Sequence, residues 1–295
     1  MKKIRPENQK AMVTRLLAST LLSLSFVLLQ AAAARADDSE MDTATTSATV
    51  PSLPQMEGPS KTTLQGGLEH AEELPGLGDG LQVGKVFSDD LLMKPDTKIS
   101  KEWFLVPPWY AGVRHCDKAT ILSRYDFATG VTTQPMVNQT NRQDATSGYQ
   151  KDRLGGIWDF KHVPAIQHVE SDLVNAVLYV KAIKPLMGNE DRLMIKYEEV
   201  SISVSKRTNK IVSIVQQEQI NTITSPSPDT LRIDVSVRSF DSDGKPQRQE
   251  ESVIIANIVK PFEQIDTYQG ENLRPSFRDY LVSHHLENLV PDDLK

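Results

Sequence analysis

The sequence predicts a mainly β domain: an antiparallel meander of long strands, curved or closed into a barrel, with a helix at the C-terminus. Three observations point there. From Trp103 onward, segments rich in Val, Ile, Tyr and Thr recur between turn residues, which is the pattern of strands. In residues 231–238, Leu231, Ile233, Val235 and Val237 alternate with Arg232, Asp234, Ser236 and Arg238, giving one dry and one wet face. Several such segments run to ten or more residues, longer than a flat sandwich usually needs, and long twisted neighbours tend to close and so remove their edges. A two-sheet sandwich is the alternative.

The N-terminus reads as an export signal. Lys2, Lys3, Arg5, Lys10 and Arg15 precede an uncharged apolar run, 16–29, which ends in an alanine-rich stretch closing on Ala34-Arg35-Ala36. A basic leader, a short apolar segment and an A-x-A exit are the parts of a cleavable secretory signal, and the apolar run is short of the roughly 20 residues that span a bilayer. Cleavage after Ala36 would leave 27 basic and 38 acidic side chains, a net charge of −11. That balance argues against nucleic acid and anionic membrane surfaces, which call for basic patches. The expected location is the periplasm or the outside of a bacterial cell.

Residues 37–100 read as a disordered or low-complexity linker. The first half is Ser, Thr, Ala, Pro and acid; the second is rich in glycine around Leu74, Leu77 and Leu81. Such a composition buries too little apolar surface to offset the entropy of ordering it. Gly76-Leu77-Gly78-Asp79-Gly80 lacks the Lys-Ser/Thr of a phosphate loop, and no apolar strand precedes it.

Residues 101–295 form the predicted domain. Strands are expected at 119–127, 131–137, 156–163 and 173–183, followed by two hairpins. The first joins 191–204 to 210–223 through Lys206-Arg207-Thr208-Asn209. The second joins 231–238 to 248–259 through Asp241-Ser242-Asp243-Gly244-Lys245-Pro246. In the first arm the apolar residues Leu193, Ile195 and Tyr197 give way to Val200, Ile202 and Val204. This slip of parity suggests a β-bulge. Phe277, Tyr280, Leu281 and His284 follow Pro275 at helical spacing, so the chain should end in a helix over 275–290.

Trp109-Tyr110-Ala111-Gly112 opening the first long strand, with a meander and a closing helix behind it, resembles in plan the calycin superfamily of lipocalins and fatty-acid-binding proteins. In those, a Gly-x-Trp element begins the barrel; here the tryptophan precedes the glycine. The resemblance implies a closed barrel in which Trp109 plugs one end.

Candidate ligand-binding residues are aromatic or paired with glycine. Trp109 and Tyr110 lie in an aromatic stretch stiffened by Pro107 and Pro108, readable as the wall of a ligand mouth or as a lid on the core. Arg153 and Trp158 flank Gly155-Gly156, where a backbone or a ligand can approach closely. Tyr179 and Tyr197, on predicted strands, complete the set. No Gly-x-Ser-x-Gly elbow and no His-Glu-x-x-His occurs, and the histidines lack zinc spacing. The sequence therefore assigns no catalytic residue, metal or cofactor, and an enzyme is the less favoured class. The lone Cys116 excludes an intramolecular disulfide. Two readings remain. One is an exported barrel binding an apolar or amphipathic molecule such as a lipid. The other is a cell-envelope structural or protein-interaction module on a flexible tether. They differ in whether Leu193, Ile195, Val235 and Val237 line a cavity or meet other side chains.

Overall fold

The computed structural model describes residues 69–78, 80–93, 97–170 and 174–295. The expected signal segment, 1–36, and the expected linker up to residue 68 lie outside the described residues. Among the described residues, no helix is long and apolar enough to cross a membrane.

The chain order is β1 (Ser100–Val106), β2 (Gly112–Asp126), β3 (Val131–Thr133), β4 (Val137–Ser147), β5 (Gln150–Lys151), β6 (Ile157–Val163) and β7 (Ala165–Glu170). There follow β8 (Val174–Gly188), β9 (Leu193–Ser205), β10 (Ile211–Ser227), β11 (Thr230–Phe240), β12 (Pro246–Pro261), β13 (Thr267–Tyr268), β14 (Glu271–Asn272) and helix α1 (Leu273–Ser283). A nine-stranded antiparallel sheet runs β3-β2-β12-β11-β10-β9-β8-β7, with β4 also pairing β2. A second sheet, β1-β6-β5, has three strands.

The large sheet is open, so the closed, calycin-like barrel expected from the strand lengths does not form. It starts at β3 and β4 and stops at β7, and among the described residues these ends do not pair. The architecture is closer to the sandwich alternative: two antiparallel sheets face to face. Phe104, Val106, Ile157 and Val163 of the small sheet meet Leu193, Ile195, Val235 and Val237 of the large one. The small sheet carries α1 on its outer side, where Trp103, Trp158 and Phe160 meet Leu273, Phe277 and Leu281.

Strand length misled because β8, β9 and β10 each serve two cores on opposite faces. In β9, Leu193, Ile195 and Tyr197 face the small sheet. Val200, Ile202 and Val204 face the other way, onto Leu81, Phe87 and Leu92. The pairing of β9 with β10 is unbroken from Ile202↔Ile214 to Leu193↔Ile223. The parity slip in the sequence therefore marks a change of buried face within one strand. The nearby irregularity is on β8, where the register moves between Val180↔Glu199 and Ala182↔Glu198. The extra residue, Lys181, lets Val180 and Ile183 both join the inter-sheet core.

Residues 69–78 and 80–93, from the second half of the segment 37–100, run as a strap over that other face. Leu74 and Leu77 donate to the carbonyls of Gly244 and Ser242, at 2.9 Å each. Further on, Gly84 donates to Ile211, Ile211 to Lys85, and Phe87 to Asn209, at 2.8–2.9 Å. The helix starts at Asn272, whose side chain accepts from Arg274 N. It ends at Ser283, before the expected boundary, because His285 takes a positive φ of 59° and turns the chain back.

Candidate functional site

The most elaborate polar arrangement on the molecule lies where the strap begins. Antiparallel register places Lys196, Ser236 and Glu251 in one row across β9, β11 and β12, with Glu218, Arg238 and Gln249 in the next. All six share the face that the strap covers. His70 enters this cluster from above, 6 % exposed. Its Nε2 lies 2.9 Å from Ser236 Oγ and its Nδ1 3.5 Å from Glu218 Oε2. The backbone of Ala71 is held at both ends: its N–H donates to Glu218 Oε2 at 2.8 Å, and its carbonyl accepts from Arg238 at 2.9 Å. Lys196 donates to the other oxygen of Glu218, and Gln216 donates to Pro75 O at 3.0 Å.

This is a clasp of charge-assisted bonds around Glu218, which is buried. Burial alone would raise its carboxyl pKa, but the nearby His70 ring and the bonds from Lys196 and the Ala71 N–H outweigh that and hold it at about 2. Burial pushes the His70 imidazole below its ordinary value, against the pull of Glu218. Burial also raises Glu251, although Ser236 and Gln249 bond to it.

Glu218, His70 and Ser236 have the order of an acid–base–nucleophile relay, but the protons run the other way. Glu251 as a carboxylate can only accept, and Ser236 Oγ donates to it at 2.7 Å. The imidazole must then donate through Nε2 to Ser236, which leaves Nδ1 as a buried acceptor with no hydrogen-bond partner. Ser236 is 1 % exposed as well. The arrangement fastens the strap; it does not present a nucleophile.

The six residues singled out from sequence do not converge on one site, although Trp109, Tyr110 and Tyr197 share one core. Tyr110 and Tyr197 are both in the inter-sheet core, with the Arg114 guanidinium 4.9 Å over the Tyr110 ring. Burial, then Tyr110, pushes the Tyr197 phenol well above its ordinary value. Trp109 packs at the edge of that core and donates to Glu190 O at 2.6 Å. Tyr179 is on the opposite face, beside the strap. Arg153 fastens the C-terminal turn, donating from N to Leu289 O and from Nε to Asn288 O. Trp158 is buried against α1, its Nε1 donating to Asp152 Oδ2 at 2.8 Å.

Asp152 organises that corner by also accepting from Leu154 N at 2.8 Å and Gly156 N at 2.9 Å. Asp152→Ala would strand the Trp158 and Gly156 donors. It is expected to cost about 3 kcal/mol, measured by urea denaturation. His115 and Cys116 diverge on β2: Cys116 joins the core, while His115 bonds Asp144 at 2.6 Å. Among the described residues, no group of three or more His, Cys, Asp or Glu is placed to hold a metal ion.

Comparison with family models, with curated proteins and with solved structures finds no match. The class is therefore defined by the fold and the clasp alone: an open two-sheet antiparallel domain with an N-terminal segment strapped to one face.

Proposed function

We propose that this chain is a cell-envelope structural or protein-interaction module, exported by its N-terminal signal and tethered through the linker ahead of His70. The carrying observation is the packing of Leu193, Ile195, Val235 and Val237 against Phe104, Val106, Ile157 and Val163. The positions a carrier would use to line a hollow meet side chains, and the sheet is open. The apolar-ligand reading needed a closed barrel, and the open sheet overturns it. Among the described residues β4 pairs only β2, and its outer edge supports docking: the strand has eleven residues, with Asn138, Thr140 and Arg142 along it. An unpaired edge is a template for a partner strand.

The test places a photo-crosslinking residue at Asn138 or Arg142 in the native cell, with Thr132 in β3 as a second edge position. The expected result is a discrete adduct with an envelope protein from β4. A chain that gives no adduct anywhere and carries a small molecule at one per chain in native mass spectrometry would overturn the reading.

A further inference from the structure

We propose that His70 makes the clasp a proton-operated latch, holding residues 69–77 on the sheet at neutral pH and releasing them in mild acid. The geometry carries this. The imidazole reaches from the strap into the polar rows and is buried there. Its Nε2–H is committed to Ser236, whose own proton is committed to Glu251. The acceptor Nδ1 is where a further proton would add. A proton there creates a buried cation. From the sheet it faces Glu218 on β10, Lys196 on β9, Arg238 on β11 and Glu251 on β12. From the strap, Glu69 and Glu72 act on Arg238. Glu218 is already engaged by Lys196 and the Ala71 N–H, so it offsets only part of the cost of charging a buried ring. An imidazole released into water meets no such cost.

The sign follows from the proton count. The docked imidazole titrates below its ordinary 6.5, so between the two values the docked state binds fewer protons than the released one. Docking is then complete above 6.5 and weakens as pH falls through that interval. Glu218, at about 2 when docked against an ordinary 4.5, adds loss in the same sense below 4.5. Glu251, raised by burial, works in the opposite sense. Release is confined to the first part of the strap. The second part, Gly84 to Phe87, is held by backbone bonds to Asn209, Lys210 and Ile211 that contain no titratable group.

The experiment is hydrogen–deuterium exchange on the full chain at neutral and mildly acid pH, corrected for the intrinsic pH dependence of exchange. The amides of Ala71, Leu74 and Leu77 report the latch; those of Gly84 and Phe87 are the internal control. Between about pH 7.5 and about pH 5, protection of the first set should fall by about tenfold, a loss of about 1.4 kcal/mol, while the second set holds. In His70→Gln, whose amide can still donate to Ser236 but does not titrate, protection of the first set should stay flat. Protection in the native chain that does not change with pH overturns the proposal, as does an equal fall in the Gln variant. Should that variant fail to dock at any pH, the imidazole's own titration by NMR decides. A midpoint below 6.5 supports the latch, and one at or above it overturns it.

Discussion

Replacing Phe277 with alanine is expected to lower the stability of the domain by about 3–5 kcal/mol. Phe277 is fully buried on α1, between Trp103 at a centroid distance of 4.8 Å and Trp158 at 5.7 Å. Those two rings belong to β1 and β6, the two seven-residue strands of the small sheet, which on its inner side supplies Phe104 and Ile157 to the inter-sheet core. The ring thus joins the helix to the layer that covers the large sheet. The hole left behind is lined by rigid aromatic groups held by their own strands, so it would collapse poorly, which puts the cost in the upper part of the range for such truncations. The measurement is the urea midpoint at unchanged slope, followed by fluorescence of the neighbouring tryptophans. A loss below about 1 kcal/mol would mean that α1 is not part of the cooperative unit.

Gly244→Ala is expected to detach the start of the strap. Gly244 has a φ of +88°, and a Cβ there would lie 1.7 Å from the Leu74 carbonyl oxygen and 2.6 Å from its carbon. Neither atom is the end of a flexible side chain, so the strap itself must move. Moving it breaks the bonds from Leu74 to Gly244 and from Leu77 to Ser242. Left-handed backbone strain of about 1–2 kcal/mol adds to the loss of those bonds at about 1 kcal/mol each. The control is Gly130→Ala, where φ is +69° but nothing lies within 4 Å, so only the backbone strain applies. Limited proteolysis should cut near residues 70–77 in the Gly244 variant and leave the Gly130 variant intact. Equal resistance in both would mean that the strap tolerates the displacement.

The hairpins at 193–227 and 230–261 were legible because their turns carry the right chemistry. Asp241 accepts from the N–H groups of Asp243 and Lys245, and Gly244 takes the positive φ that follows. The closing helix was legible from Phe277 and Leu281 at i and i+4. The clasp was not. His70 sits in a stretch whose composition reads as linker, and its partner Ser236 lies 166 positions away, with Glu218 nearly as far. The wet face of residues 231–238 illustrates the difficulty. Arg232 and Asp234 are exposed and pair with each other at 2.7 Å, as an outward face should. Ser236 and Arg238, on the same face of the same strand, lie beneath the strap.

By itself the sequence determined many of the local units, namely the two long hairpins with their turns and the C-terminal helix, but not β1, β4 or β7; it also determined the acidic balance that argues against nucleic acid. Alternation and turn chemistry are properties of neighbouring residues, so they can be read without knowing the rest. What only the tertiary structure decided was which layer covers each face. An alternating strand looks the same whether its dry side lines a barrel, meets a second sheet or lies under a strap. Closure depends on whether β4 reaches β7, and the clasp depends on whether His70 reaches Glu218. Both are long-range encounters that no local pattern encodes.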